Sequence, residues 1–188
     1  MKGIGVEVLG SATFAEVREV YLRNHDAEQA HEANTNQDGE ENLQRADELL
    51  GSWWRVRLAR TDVLDVVLPW HLSEGGGIEL VPRSGLTVRQ AVDRIRAGGR
   101  TWAEANPVCS TKVGHLKQAP LTPVYLSTLP VSHSDYSDLL VREGLIHLDG
   151  LHRMVAWELA RRLPRGAWLD AFVAGDVRPR VRTADRTS

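Results

Sequence analysis

The residues of this chain with the most definite chemical pattern are Asp149-Gly150-Leu151-His152-Arg153, between the apolar run Leu145-Ile146-His147-Leu148 and Met154-Val155-Ala156-Trp157-Glu158-Leu159-Ala160. A strand that runs into Asp-Gly and then directly into an amphipathic helix presents unpaired backbone N–H groups and the positive end of a helix dipole. Gly150 lets another group approach the backbone closely. Cationic side chains at a helix start are unfavourable by about 0.3–1 kcal/mol each, so His152 and Arg153 gain from an anion held beside them. Arg can grip a phosphate through two parallel hydrogen bonds and His can donate one more. The same residues also allow a purely structural reading, with Asp149 as an N-cap, Gly150 as a turn residue and Arg153 paired with Glu158 or Asp149.

With its preceding strand and following helix, Asp149-Gly150-Leu151-His152-Arg153 resembles the D-G-x-H-R motif of the ParB/sulfiredoxin-like superfamily, which includes ParB N-terminal domains, sulfiredoxins and free-serine kinases. Upstream, Leu121-Thr122-Pro123-Val124-Tyr125-Leu126 resembles the L-x-P-I-x-V strand of that fold. The likeness spans roughly residues 70–165. It implies a nucleotide phosphate bound by Gly150, His152 and Arg153, with ATP, ADP or CTP and Mg2+ as cofactors. In the serine-kinase branch the Asp of the motif takes part in catalysis and a Glu near the first strand acts as base. That implies catalytic roles for Asp149, His152 and a glutamate, for which Glu74 is the first choice and Glu79 and Glu104 are alternatives.

Departures from the family narrow the reading. The catalytic Cys of sulfiredoxins lies between the Gly and His of the motif, where this chain has Leu151, so thiol-based sulfinic acid reduction is not expected. ParB segregation proteins carry a G-E-R-R box and a following helix-turn-helix; Gly150-Leu151-His152-Arg153 and a short basic tail stand here instead. The function expected is phosphoryl transfer to a small metabolite. A nucleotide- or ligand-binding regulatory protein, or a biosynthetic enzyme reusing the pocket, is the alternative.

Composition agrees with this class. The 188 residues are 42% hydrophobic and 26% charged, and 23 basic against 25 acidic residues give a net charge of -2, so no bulk positive field favours nucleic acid or an anionic membrane. No apolar run approaches the roughly 20 residues of a membrane span, and Met1 to Glu7 lacks a signal-peptide core, which predicts a cytoplasmic address. The one cysteine, Cys109, cannot form an internal disulfide and reads as a small buried residue. His25 and His31, with Asp26 and Glu28, lack the i, i+4 spacing of helical metal ligands. Ser110, Thr111, Lys112, His115 and Lys117 form a basic stretch able to cover a nucleotide or to face solvent. His147, opposite to Ile146 and Leu148 on its strand, lines the pocket or faces solvent.

The elements that must position these residues follow from periodicity and caps. The spacing predicts helices over about 13–31, behind Thr13, and about 41–51, then a strand at 53–60. A buried element covers Asp62–Trp70, a strand Ile78–Val81, and a helix follows Thr87 until Gly98. Residues 100–121 read as irregular; strands follow at 124–129 and as two pieces within 139–148, and the motif helix runs from Leu151 to Pro164. The resulting fold class is α+β: a small mixed sheet with helices over 61–170, a helical extension over 1–60 and a basic tail over 171–188.

Overall fold

Thr13 and Thr87 both start helices, each through a capping box. The Thr13 side chain accepts from the Glu16 N–H while the Glu16 carboxylate accepts from the Thr13 N–H, and Thr87 with Gln90 repeats the arrangement. The computed structural model describes residues 5–25 and 36–179. In chain order the first half comprises β1 (Gly5–Ala12), α1 (Phe14–Asn24), α2 (Asn36–Leu50), β2 (Trp53–Ala59), α3 (Arg60–Leu64), β3 (Val67–Leu68) and β4 (Leu86–Thr87). The second comprises α4 (Val88–Ala105), α5 (Pro107–Leu116), β5 (Val124–Ser127), β6 (Ile146–Asp149), α6 (Leu151–Leu159), β7 (Trp168–Ala174) and β8 (Arg178–Pro179).

These strands make one sheet in the order β4-β3-β6-β5-β7-β2-β1-β8. It is mixed: β7 pairs parallel to β5 and antiparallel to β2, while β6 pairs antiparallel to β5 and parallel to β3. The expected α+β class with a mixed sheet is therefore correct. Alternation along the central strands splits the core in two. Leu169, Ala171 and Val173 of β7, with Val124 and Leu126 of β5, pack with the apolar faces of α4, α5 and α6. Phe172, Ala174 and Tyr125 point the other way, onto Val17, Tyr21, Leu43 and Ala46 of α1 and α2.

Several expectations change. Residues 1–60 are not a helical extension, because β1 and β2 belong to the same sheet as β5 and β7. Residues 171–179, expected as tail, finish β7 and form β8, where β8 adds parallel to β1. The helix capped by Thr87 runs past Gly98 to Ala105; the left-handed residue is Gly99, with φ 48°, and helical structure resumes beyond it. The predicted irregular stretch 100–121 contains α5, started by Pro107 at its first turn. Ile78–Val81 is not a strand, and of its residues Val81 makes an isolated antiparallel bridge to His71. Asp62–Trp70 divides into the end of α3 and β3, and within 139–148 only 146–148 is strand. The predicted helix at 41–51 starts earlier, at Asn36, and the motif helix ends at Leu159, before Pro164.

Candidate functional site

β6 delivers Asp149 to the sheet's end, and Gly150 turns the chain into α6 with φ 111°, the left-handed region open to glycine. A Cβ at this position would lie 2.7 Å from Val124 Cγ1, so the turn also needs the missing side chain. The first free amide of α6 is capped from within the strand: Leu151 N–H donates to His147 Nε2 at 2.9 Å. His147 is half-buried, and because its Nε2 accepts this bond its proton sits on Nδ1.

Arg153 is tied down on three sides. One of its terminal nitrogens donates to Thr122 Oγ1 at 2.6 Å and to the Pro123 carbonyl at 2.8 Å, and the other pairs with the Asp149 carboxylate. Of five guanidinium N–H donors, these three bonds leave two. Arg153 thus clamps the start of α6 to the segment leading into β5. Asp149 also faces His25 at the end of α1, with Nε2 3.3 Å from its carboxylate, and the His25 Nδ1 lies 2.9 Å from the Tyr21 carbonyl. Gly39 of α2 comes so close that a Cβ there would stand 3.1 Å from Asp149 and 2.5 Å from the Tyr21 hydroxyl.

A second group adjoins this one. Cys109 Sγ lies 3.1 Å from His152 Nε2 and 3.3 Å from His71 Nε2, and the two imidazole rings meet edge to face with centroids 4.8 Å apart. The Cys109 amide donates to Ser73 Oγ at 3.3 Å, which ties α5 to the His71 loop. Lys112, one turn along α5, lies within electrostatic range of Asp149, Cys109 and Arg153.

Burial sets the protonation of the whole group. Burial alone would raise the Asp149 carboxyl, but Arg153 and His25 overcome it and hold it well below the usual carboxylate range. Burial pushes His71 and His147 down to about 4, the first helped by the charge of Lys112 and the second by His71 and Arg153. It also puts His152 well below its ordinary value, with Lys112 adding to the effect. Lys112 itself is lowered by burial against the pull of Asp149 and Cys109. Burial raises the Cys109 thiol, with Ser73 opposing. At neutral pH the site holds an ionised Asp149, a guanidinium and neutral imidazoles at 71, 147 and 152.

The structure brings together Asp149, Gly150, His152 and Arg153, but with changed partners. His152 has Nε2 against Cys109, so its Nδ1 and backbone amide are what it can offer a ligand at the helix start. Glu158 pairs with Arg60 rather than Arg153. Glu74 is exposed and has no hydrogen bond or ion pair to the buried group among the described residues. Glu79 accepts from Trp70 Nε1 at 2.7 Å, and Glu104 is exposed. His31, Asp26 and Glu28 lie outside the described residues, and His25 serves Asp149. His71, Cys109 and Lys112 were missed as members of one group. Their separations of 37 residues or more from each other or from the motif, apart from Cys109 and Lys112 themselves, leave no local pattern to read. A cavity of about 380 Å³ between Arg57, Trp168 and Asp170 shares Thr122 and Pro123 with the Arg153 clamp and none of the buried basic side chains.

Fold and site together define an α+β protein with a half-buried cluster of basic residues around Asp149 and Cys109 at a strand–helix junction. A family model described as a family of unknown function (DUF6309) matches residues 6–188, and the chain belongs to that family. No curated protein and no solved structure matched it. Among the described residues no helix is long and apolar enough to cross a membrane.

Proposed function

We propose that this protein is a cytoplasmic, nucleotide-dependent enzyme acting on a small metabolite, with phosphoryl transfer as its reaction and the head of α6 as its phosphate site. The observation that carries this reading is the composition of the half-buried group: one carboxylate, Asp149, among Arg153, Lys112 and the imidazoles of His25, His71, His147 and His152. Asp149 offsets Arg153 and the imidazoles of His71, His147 and His152 are neutral, so what an anion would meet is the Lys112 ammonium and the remaining Arg153 N–H donors, in charge-assisted hydrogen bonds worth about 1.5–3 kcal/mol each. The resemblance of the motif to the ParB/sulfiredoxin-like superfamily supports the same assignment.

In this reading the two remaining N–H donors of Arg153, the Lys112 ammonium, His152 Nδ1 and the amides of His152 and Arg153 hold phosphate oxygens, the Leu151 amide being taken by His147. ATP, ADP or CTP with Mg2+ supplies the transferable group. Asp149, kept ionised by Arg153, orients the acceptor hydroxyl, a role that falls to it rather than to the exposed Glu74.

Calorimetric titration of the full chain with ATP, ADP and CTP, each with Mg2+, tests the site, and phosphorus NMR across a panel of small alcohols and amino acids tests the reaction. The expected result is saturable nucleotide binding, weakened about tenfold or more in Lys112→Ala, with transfer to one acceptor class. Binding without transfer would favour the regulatory alternative. Failure of every nucleotide and of inorganic phosphate to bind would overturn the phosphate site.

A further inference from the structure

His71, Cys109 and His152 reach one point from three separate stretches: the loop after β3, the first turn of α5 and the first turn of α6. Their ligand-capable atoms all lie within 4.8 Å of one another, and the sulfur stands 3.1 Å and 3.3 Å from the two imidazole Nε2 atoms. We propose that His71, Cys109 and His152 bind one Zn2+ through two imidazole nitrogens and a thiolate, leaving one coordination position open.

The spacing fits a tetrahedral ion. With Zn–N of about 2.0–2.1 Å and Zn–S of about 2.3 Å, neighbouring nitrogen and sulfur ligands stand about 3.5 Å apart and two nitrogens about 3.4 Å. The observed N···S distances need to open by a few tenths of an ångström, and the two nitrogens, which lie within 4.8 Å of one another, need to close toward about 3.4 Å by rotation of the rings about the sulfur. The donors are soft or borderline and include no carboxylate, so they select zinc over Mg2+ or Ca2+. A nucleophilic thiol needs one imidazole on its sulfur; here two converge on it.

The backbone around each ligand is fixed. His71 donates from its amide to Val81 O at 3.0 Å, and its carbonyl accepts from Leu80 N at 3.0 Å. The Ser73 hydroxyl links that loop to the Cys109 amide, and the turn preceding His152 is held by His147. Cys109 is buried, whereas His71 and His152 are only partly so, which places the approach to the open position on the histidine side. Three protein ligands with a fourth position free is the pattern of zinc sites that bind a water or a substrate oxygen.

The test uses zinc alone and so is independent of the nucleotide reading. After treatment with a chelator, the full chain titrated with ZnCl2 should take up one ion per chain. Loaded with Co2+, it should show a thiolate-to-cobalt charge-transfer band and the intense d–d absorption of a four-coordinate site. Cys109→Ser and His71→Gln should each weaken zinc binding by about 100-fold or more, beyond the effect of changing an outer partner, while Glu74→Gln leaves it unchanged. Circular dichroism checks that the variants fold, and the cobalt spectrum of the unaltered chain needs no variant. Absence of stoichiometric uptake, a cobalt spectrum without the thiolate band, or wild-type affinity in folded Cys109→Ser would each overturn the proposal.

Discussion

The Asp149 carboxylate and the Arg153 guanidinium form an ion pair across the Gly150 turn, four residues apart, with side chains only 21% and 12% exposed. The pair joins the last residue of β6 to the first turn of α6, and the other terminal nitrogen of Arg153 carries the link on to Thr122 and Pro123. A motif that would read as a ligand cradle is therefore also a structural clamp.

Removing Asp149 should be costly because it leaves a poorly solvated guanidinium. Asp149→Asn should lower unfolding free energy by about 3 kcal/mol near neutral pH, measured by urea denaturation. The folded pKa of Asp149 lies below its unfolded value of about 3.9, so its stabilisation is present above that pH and is lost as pH falls through the folded value. The variant should be less stable at pH 7 yet show a flatter acid limb below about pH 4. An acid limb equal to that of the wild type would show that the pair is not what acid breaks.

His147 gives a second pH signature. Its folded pKa of about 4 lies below the unfolded value of about 6.5, so its contribution is complete above about 6.5 and fades as pH falls toward 4. The cause is direct: a protonated ring cannot accept from Leu151 N–H and must be charged in an apolar setting. His147→Gln keeps an acceptor and does not titrate. Its Tm should fall less than that of the wild type between about pH 7 and pH 4.5; parallel curves in thermal denaturation would contradict this.

Gly150→Ala combines a left-handed backbone with a Cβ 2.7 Å from the buried Val124. Strain of this kind costs about 2–3 kcal/mol. The expected readout is that loss in chemical denaturation together with faster amide exchange at Leu151 and His152. Gly114→Ala, within α5 and with open space at its Cβ, serves as the control and should be neutral or slightly stabilising.

Glu158 is 4% exposed and receives two bonds from Arg60, at 2.9 Å from Nε and 2.6 Å from the terminal nitrogen. Arg60→Ala should cost about 1–2 kcal/mol, limited because the Arg60 side chain is 42% exposed and because Arg96 lies 3.9 Å from the same carboxylate. Arg60→Lys should recover less than half, since an ammonium cannot make the paired contact. Equal stability of the two variants, by equilibrium unfolding, would show that the fork geometry is unimportant.

The strand–turn–helix around Asp149, the capped starts at Thr13 and Thr87 and the strand at Trp53–Ala59 were legible because each is set by residues within a few positions of one another. Residues 5–12 and 168–174 were not, since Gly10 and Ser11 interrupt the first and the second, apolar at all positions but Asp170, lacks strict alternation; each becomes a strand by pairing with β2.

That Asp149, Gly150, His152 and Arg153 stand at a helix start follows from local residues alone, through glycine's backbone freedom and the apolar face that comes after it. What surrounds them depends on long-range packing. Sheet pairing and helix packing carry His25, His71, Cys109 and Lys112 to the same junction from segments whose local chemistry is silent about it. The same packing commits Arg153 to Asp149 and Thr122, because a guanidinium removed from water must find acceptors wherever the fold supplies them.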